Sequence, residues 1–127
     1  MSLIKTVEME AMLASLEKHL DRRDMIGYAA ARNTRLLRDE LVEFMTLREK
    51  LVIEHGDIEE DGDGAPTGKS VISQQSPGFV DFMAEYMPLC EIEHDFQPFT
   101  IPYEEAIGNI SGTELLEIDW MFHEESE

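Results

Sequence analysis

The segment Gly64-Ala65-Pro66-Thr67-Gly68-Lys69-Ser70 ends in the Gly-Lys-Ser of a phosphate-binding loop, whose backbone amides cradle a polyphosphate. That motif needs a glycine five positions ahead of Gly68, where this chain has Asp63, and an apolar strand upstream, where it has Glu59-Glu60-Asp61. Carboxylates at those places oppose a bound phosphate, so the segment is a decoy. Asp57, Glu59, Asp61 and Gly62 match the first, third, fifth and sixth positions of a calcium-binding loop. The twelfth position, which must supply a bidentate glutamate, is Gly68. An acidic hairpin is the better reading.

The histidines offer little more. His19 and His55 fall near expected helix ends, where a cation suits the carbonyl terminus. His94 shares a face with apolar residues and reads as a core histidine with a satisfied hydrogen bond. The sets Glu91, Glu93, His94, Asp95 and His123, Glu124, Glu125 contain hard ligands, but neither has the spacing of a defined metal site. Cys90 and His94, four residues apart on an expected strand, would stand about 13 Å apart. A nucleophile and its base must meet at ~3 Å. No catalytic, cofactor-binding or metal-binding residue is assigned from the sequence, and the chain is not expected to be an enzyme.

The elements that would hold these residues are set by periodicity. Ile4 to Leu20 carries two adjacent apolar stripes at helical spacing, Ile4, Val7, Ala11, Ala14 and Met9, Leu13, Leu16, Leu20. Asp21-Arg22-Arg23-Asp24 breaks the pattern, with Asp24 placed to cap the next helix. Met25 to Glu54 predicts one long helix closed by His55-Gly56, the glycine serving as a left-handed cap. Its apolar sector holds Ile26, Ala30, Leu37, Leu41, Phe44 and Leu51, interrupted by Asn33, Glu40 and Arg48. Those three either snorkel to water or form a buried polar set that fixes register in a helical assembly. Tyr28, Val42 and Ile53 on the opposite face point to a second contact surface. At ~1.5 Å per residue such a helix is roughly 45 Å long. A compact globule of this size is only roughly 36 Å across.

Further along the chain, Asp57 to Ser76 reads as an acidic, glycine-rich hairpin or loop with a strand near Lys69–Ser73. Ser76-Pro77 opens a short helix that Pro88 should stop. Cys90 to Tyr103 alternates like a half-buried antiparallel strand, bent at Pro98. A turn ending at Gly108 leads to a last helix capped by Ser111 or Thr113, and Trp120, Met121 and Phe122 close the core. The expected fold is α+β: a helical hairpin with one long member, packed on a small antiparallel sheet with short helices. One domain is expected over 1–127, divided into a helical hairpin (1–56), the acidic loop (57–76) and a small α+β part (77–127).

Charge narrows the function. The chain has 127 residues, 28 acids, 10 bases and a net charge of −18. Nine acids and nine bases cancel up to Ile53, so the entire excess lies beyond it. Such a chain is a poor direct binder of nucleic acid or anionic membrane. The single cysteine rules out an internal disulfide and fits a reducing compartment. No apolar run reaches the ~20 residues of a membrane span, and acids interrupt the first residues where a signal peptide would be apolar.

The run Gly27-Tyr-Ala-Ala-Ala-Arg-Asn-Thr-Arg-Leu-Leu-Arg-Asp-Glu-Leu41, with Arg48, Leu51 and His55-Gly56-Asp57 after it, resembles a family of small uncharacterised phage and prophage proteins. The shared pattern is Ala-x-Asn-x-x-x-Leu-x-x-Glu-Leu on a long helix, then an acidic hairpin. It falls here on Ala31, Asn33, Leu37, Glu40 and Leu41, with Arg48 further along the helix. The resemblance implies no activity. It implies a structural or assembly protein acting through protein contacts, as a homo-oligomer or with a phage assembly partner, in the cytoplasm of a bacterial host or in the virion. Such contacts would use the apolar face of the long helix, and the interaction residues expected there are Asn33, Leu37, Glu40, Leu41, Phe44, Arg48 and Leu51. The charge supports an alternative, an acidic mimic of nucleic acid that blocks a DNA-binding protein.

Overall fold

Asp24 starts the longest element as its position requires. Its Oδ1 accepts the backbone N–H of Gly27 at 3.1 Å, while Arg22 grips the same carboxylate through two nitrogens at 2.6 and 3.1 Å. A cap of this kind satisfies one of the helix's orphan donors. In the computed structural model, which describes residues 3–124, the helix α2 then runs unbroken from Met25 to His55. The element order is β1 (Leu3–Lys5), α1 (Thr6–Leu16), α2 (Met25–His55), β2 (Asp57–Glu60), β3 (Pro66–Val71) and α3 (Phe79–Cys90). Next come β4 (Glu93–Asp95), β5 (Ile101–Pro102), α4 (Gly112–Ile118) and β6 (Phe122–His123). The class is α+β. Its strands form three two-stranded ladders, β1–β4 and β2–β3 antiparallel and β5–β6 parallel.

The chain forms two compact units. One comprises Met1–Leu41 and Glu93–Glu127, the other Val42–Ile92, so the seam lies inside α2. In the first unit, Leu3–Lys5 is a strand and not the start of a helix, with Lys5 opposite Glu93. The helix expected from Ile4 to Leu20 is therefore shorter, ending at Leu16 before a 3-10 turn over Glu17–His19. Only one of its two apolar stripes is inward. Met9 and Leu16 are fully buried, while Val7, Ala11 and Ala14 face solvent. Ile26, Ala29, Ala30, Leu37, Leu41, Ile118 and Met121 complete the centre of this core. Ser111 caps α4 through a reciprocal box with Glu114, each side chain bonding the other's backbone N–H at 3.1 Å. Gly108 ends the preceding turn at φ +80°.

The long alternating strand from Cys90 to Tyr103 does not form. Cys90 is the last residue of α3, and β4 comprises only Glu93–Asp95, paired with Leu3–Lys5 of β1. Beyond β4, the backbone of Phe99 is paired with a side chain. Asn33 Nδ2 donates to the Phe99 carbonyl, and the Phe99 N–H donates to Asn33 Oδ1, both at 2.8 Å. The amide thus takes the place a neighbouring strand would hold.

In the second unit the last four turns or so of α2 lead into the β2–β3 hairpin and then α3. The hairpin pairs Asp57 with Val71 and Ile58 with Ser70, and a bulge precedes the Glu60–Pro66 pair. Pro88 does not stop α3, which continues to Cys90. So close to the end, the missing N–H frees one carbonyl, that of exposed Ala84, for water. Gly56 succeeds α2 without the left-handed φ expected of it. A Cβ there would meet the Val52 and Val71 carbonyl oxygens, each at 2.4 Å, so glycine is needed for close approach of β3.

Candidate functional site

The residues expected to meet a partner divide by depth. Asn33, Leu37 and Leu41 are completely buried and Phe44 nearly so, each by its own chain. Leu51 is half-buried, while Glu40 and Arg48 face solvent. The inner edge of α2 is therefore already covered, and the polar set does not act as a group. Asn33 is spent on Phe99. Glu40 Oε1 lies 3.1 Å from His94 Nδ1, and His94 Nε2 meets Thr6 Oγ1 at 2.8 Å. Both ring nitrogens of His94 being engaged, it has none left to activate Cys90.

The opposite side of α2 is different. Tyr28, Val42 and Ile53 are 52, 57 and 63% exposed. Plotted at 100° per residue, Val42, Thr46, Glu49 and Ile53 lie within about 60° of one another, on the side away from Phe44 and Leu51. Val42, Glu43, Thr46 and Leu47 line a shallow apolar groove. Such a groove between two rows of residues four apart is what a ridge of another helix fills.

The basic residues are held locally. Arg32 lies over the Phe99 ring at 4.3 Å, and Tyr28 meets the same ring edge-on at 5.8 Å. Arg35 and Arg38 share a hollow with Asp39, Leu20, Ala31 and Thr34. The decoy motifs end as the sequence implied. Gly68-Lys69-Ser70 is part of strand β3, and Asp61 Oδ1 accepts the N–H groups of Asp63 and Ala65 to close the hairpin turn.

One cluster has no signature in the sequence. At the end of α2, His55 Nε2 lies 2.5 Å from Glu85 Oε2 of α3. With Glu54 they bring three ligand atoms within 4.8 Å of one another, the group of this kind found among the described residues. Thirty residues separate His55 from Glu85, so no local spacing could reveal it. The first unit holds a buried titratable group instead. His19 has neither ring nitrogen bonded among the described residues, and burial holds its pKa below the usual 6.5 against the pull of Glu114.

No protein-family model matches the chain, and neither a curated protein nor a solved structure matches it.

Proposed function

We propose that this chain is a non-enzymatic structural or assembly protein of phage type that works through protein contacts, pairing first with a second copy of itself along the outer stripe of α2. The observation that carries the reading is the poor cover of Val42–Ile92. Phe44 and Phe82 are its buried hydrophobics, whereas Val42, Leu47, Ile53, Ile58, Val80 and Met87 are each at least 45% exposed. Apolar surface on that scale marks an interaction site.

The stripe suits a two-fold mate. Over residues 42–53, Glu43 and Glu49 balance Arg48 and Lys50, whereas 54–92 carries nine acids and one base. Two copies can therefore meet there without the repulsion the rest of the unit would impose. In an antiparallel pair centred between Leu47 and Arg48, Val42 faces the mate's Ile53. Glu43 and Lys50 share one flank, so each Glu43 faces the mate's Lys50. Such self-complementarity is what an isologous interface requires. The phage assignment rests on the resemblance of Gly27–Leu41, and adjacent capsid, tail or packaging genes are its test.

Light scattering during size exclusion should give twice the 14.5 kDa chain mass. The Val42→Lys/Ile53→Lys double variant should return to the single-chain mass with its helical circular dichroism retained. A wild-type monomer at every concentration overturns the reading, as does a dimer broken by Val80→Lys on α3 but not by the double variant. The exposed hairpin acids Asp57, Glu60, Asp61 and Asp63 support a second reading, the acidic mimic. That reading requires competition with DNA for a DNA-binding protein, steeply weakened by salt.

A further inference from the structure

We propose that Glu54, His55 and Glu85 form a site for one divalent transition-metal ion of the zinc class, tying the end of α2 to the middle of α3. The donor set is one imidazole nitrogen and two carboxylates. Imidazole favours zinc-class ions over magnesium or calcium, which prefer all-oxygen shells. Two carboxylates and a neutral ring carry two negative charges, matching a divalent cation. Three protein ligands leave a fourth tetrahedral position for water.

The geometry is close to what an ion needs. Ligands at ~2.1 Å from zinc stand roughly 3.4 Å apart in a tetrahedron. His55 Nε2 and Glu85 Oε2 stand 2.5 Å apart and all three ligand atoms lie within 4.8 Å of one another, so small side-chain adjustments bring them to that spacing. His55 is the anchor, its side chain only 16% exposed. Backbone packing fixes it from both sides. A Cβ on Gly78 would lie 2.1 Å from the His55 carbonyl oxygen, and Gly56 is pressed between the Val52 and Val71 carbonyls. Phe82 and Tyr86 flank Glu85 in α3, stacked at 5.0 Å, and Tyr86 also meets Phe44 of α2 at 5.9 Å. Ligands carried on helices clamped in this way need little reorganisation to bind.

The surroundings also favour a cation. Residues 42–92 hold eleven acids against three bases, giving a negative field that raises the local cation concentration. Without an ion the group sets the Glu54 and Glu85 carboxylates close together, with one imidazole between two like charges. A bound ion resolves that repulsion.

Calorimetric titration of the full chain with Zn²⁺ should show one site and a raised melting temperature, since an ion that binds only the folded state stabilises it. His55→Asn and Glu85→Gln should each weaken binding by at least ~10-fold. Glu54→Gln, at an exposed helix end where folding is not at stake, should do the same. His123→Ala should change nothing. The proposal is overturned by no saturable Zn²⁺ binding, or by binding that all three ligand variants leave intact.

Discussion

In the unit made of Met1–Leu41 and Glu93–Glu127, thirteen apolar residues are buried, and Thr6, His19, Asn33 and Thr34 are buried with them. Val42–Ile92 buries Phe44 and Phe82 among its apolar residues, and Ser76 among its polar ones. A single helix supplies both. Its first half sinks Ile26, Ala30, Leu37 and Leu41 into a filled core, and its second half leaves Val42 and Ile53 in water. Buried polar groups are costly unless bonded, so a core that carries them is specified in detail. A unit with two buried hydrophobics has little such specification and gains most from being covered. The contrast is between a unit whose apolar residues fill a core and one that leaves many of its large apolar side chains uncovered, which is what supports the proposed pairing.

The comparison breaks most visibly at Asn33. Asn33→Leu removes both partners of the Phe99 backbone and should cost about 3 kcal/mol in chemical denaturation, from two part-buried groups left unpaired. A loss below about 1 kcal/mol would mean that water reaches Phe99 and that the first unit is less tightly determined than its burial implies.

A smaller effect concerns pH. Because burial lowers the His19 pKa below 6.5, the unfolded chain binds more protons than the folded one once pH falls through that value. The neutral ring's contribution is intact above about pH 6.5, is lost progressively below it, and levels off beneath the folded pKa. Denaturation midpoints at about pH 7.5 and about pH 5.5 should therefore differ in wild type, and His19→Leu should flatten that difference. An unchanged difference in the variant would remove His19 as its source, since carboxylates titrate too low to supply it. Asp24 and Glu114 are examples, held below their usual range first by the Arg22 side-chain bond and the Ser111 backbone N–H respectively.

The smallest expected change is at a helix end. Ser111→Ala removes one half of the α4 capping box and should cost about 1 kcal/mol. It should leave the mass of the proposed dimer untouched, because the loss falls in the first unit. A shift in mass would join the two units energetically and blunt the contrast between them.

Much of this architecture was legible where the signals are local. Asp24 announced the start of α2, Gly56 its end, and Ser111 or Thr113 the start of the last helix, because caps act over three or four residues. The same locality misled at Pro88, two residues from a helix end, and at Gly56, whose glycine answers to β3 and not to its own φ. Alternation from Cys90 to Tyr103 suggested one long strand. Alternation records which faces suit burial and says nothing of how long a partner strand is available.

What the residues determined alone is the set of helices, the Asp24 cap of α2, the acidic hairpin and the charge imbalance beyond Ile53. All of these arise from side chains acting on neighbours a few positions away. Which edge of α2 is filled, what Asn33 bonds and which carboxylate meets His55 were decided only by the folded chain. Those pairings span 66 residues for Asn33–Phe99 and 30 for His55–Glu85. Across such separations no periodicity survives, and the partner is whichever group the packing of whole elements delivers.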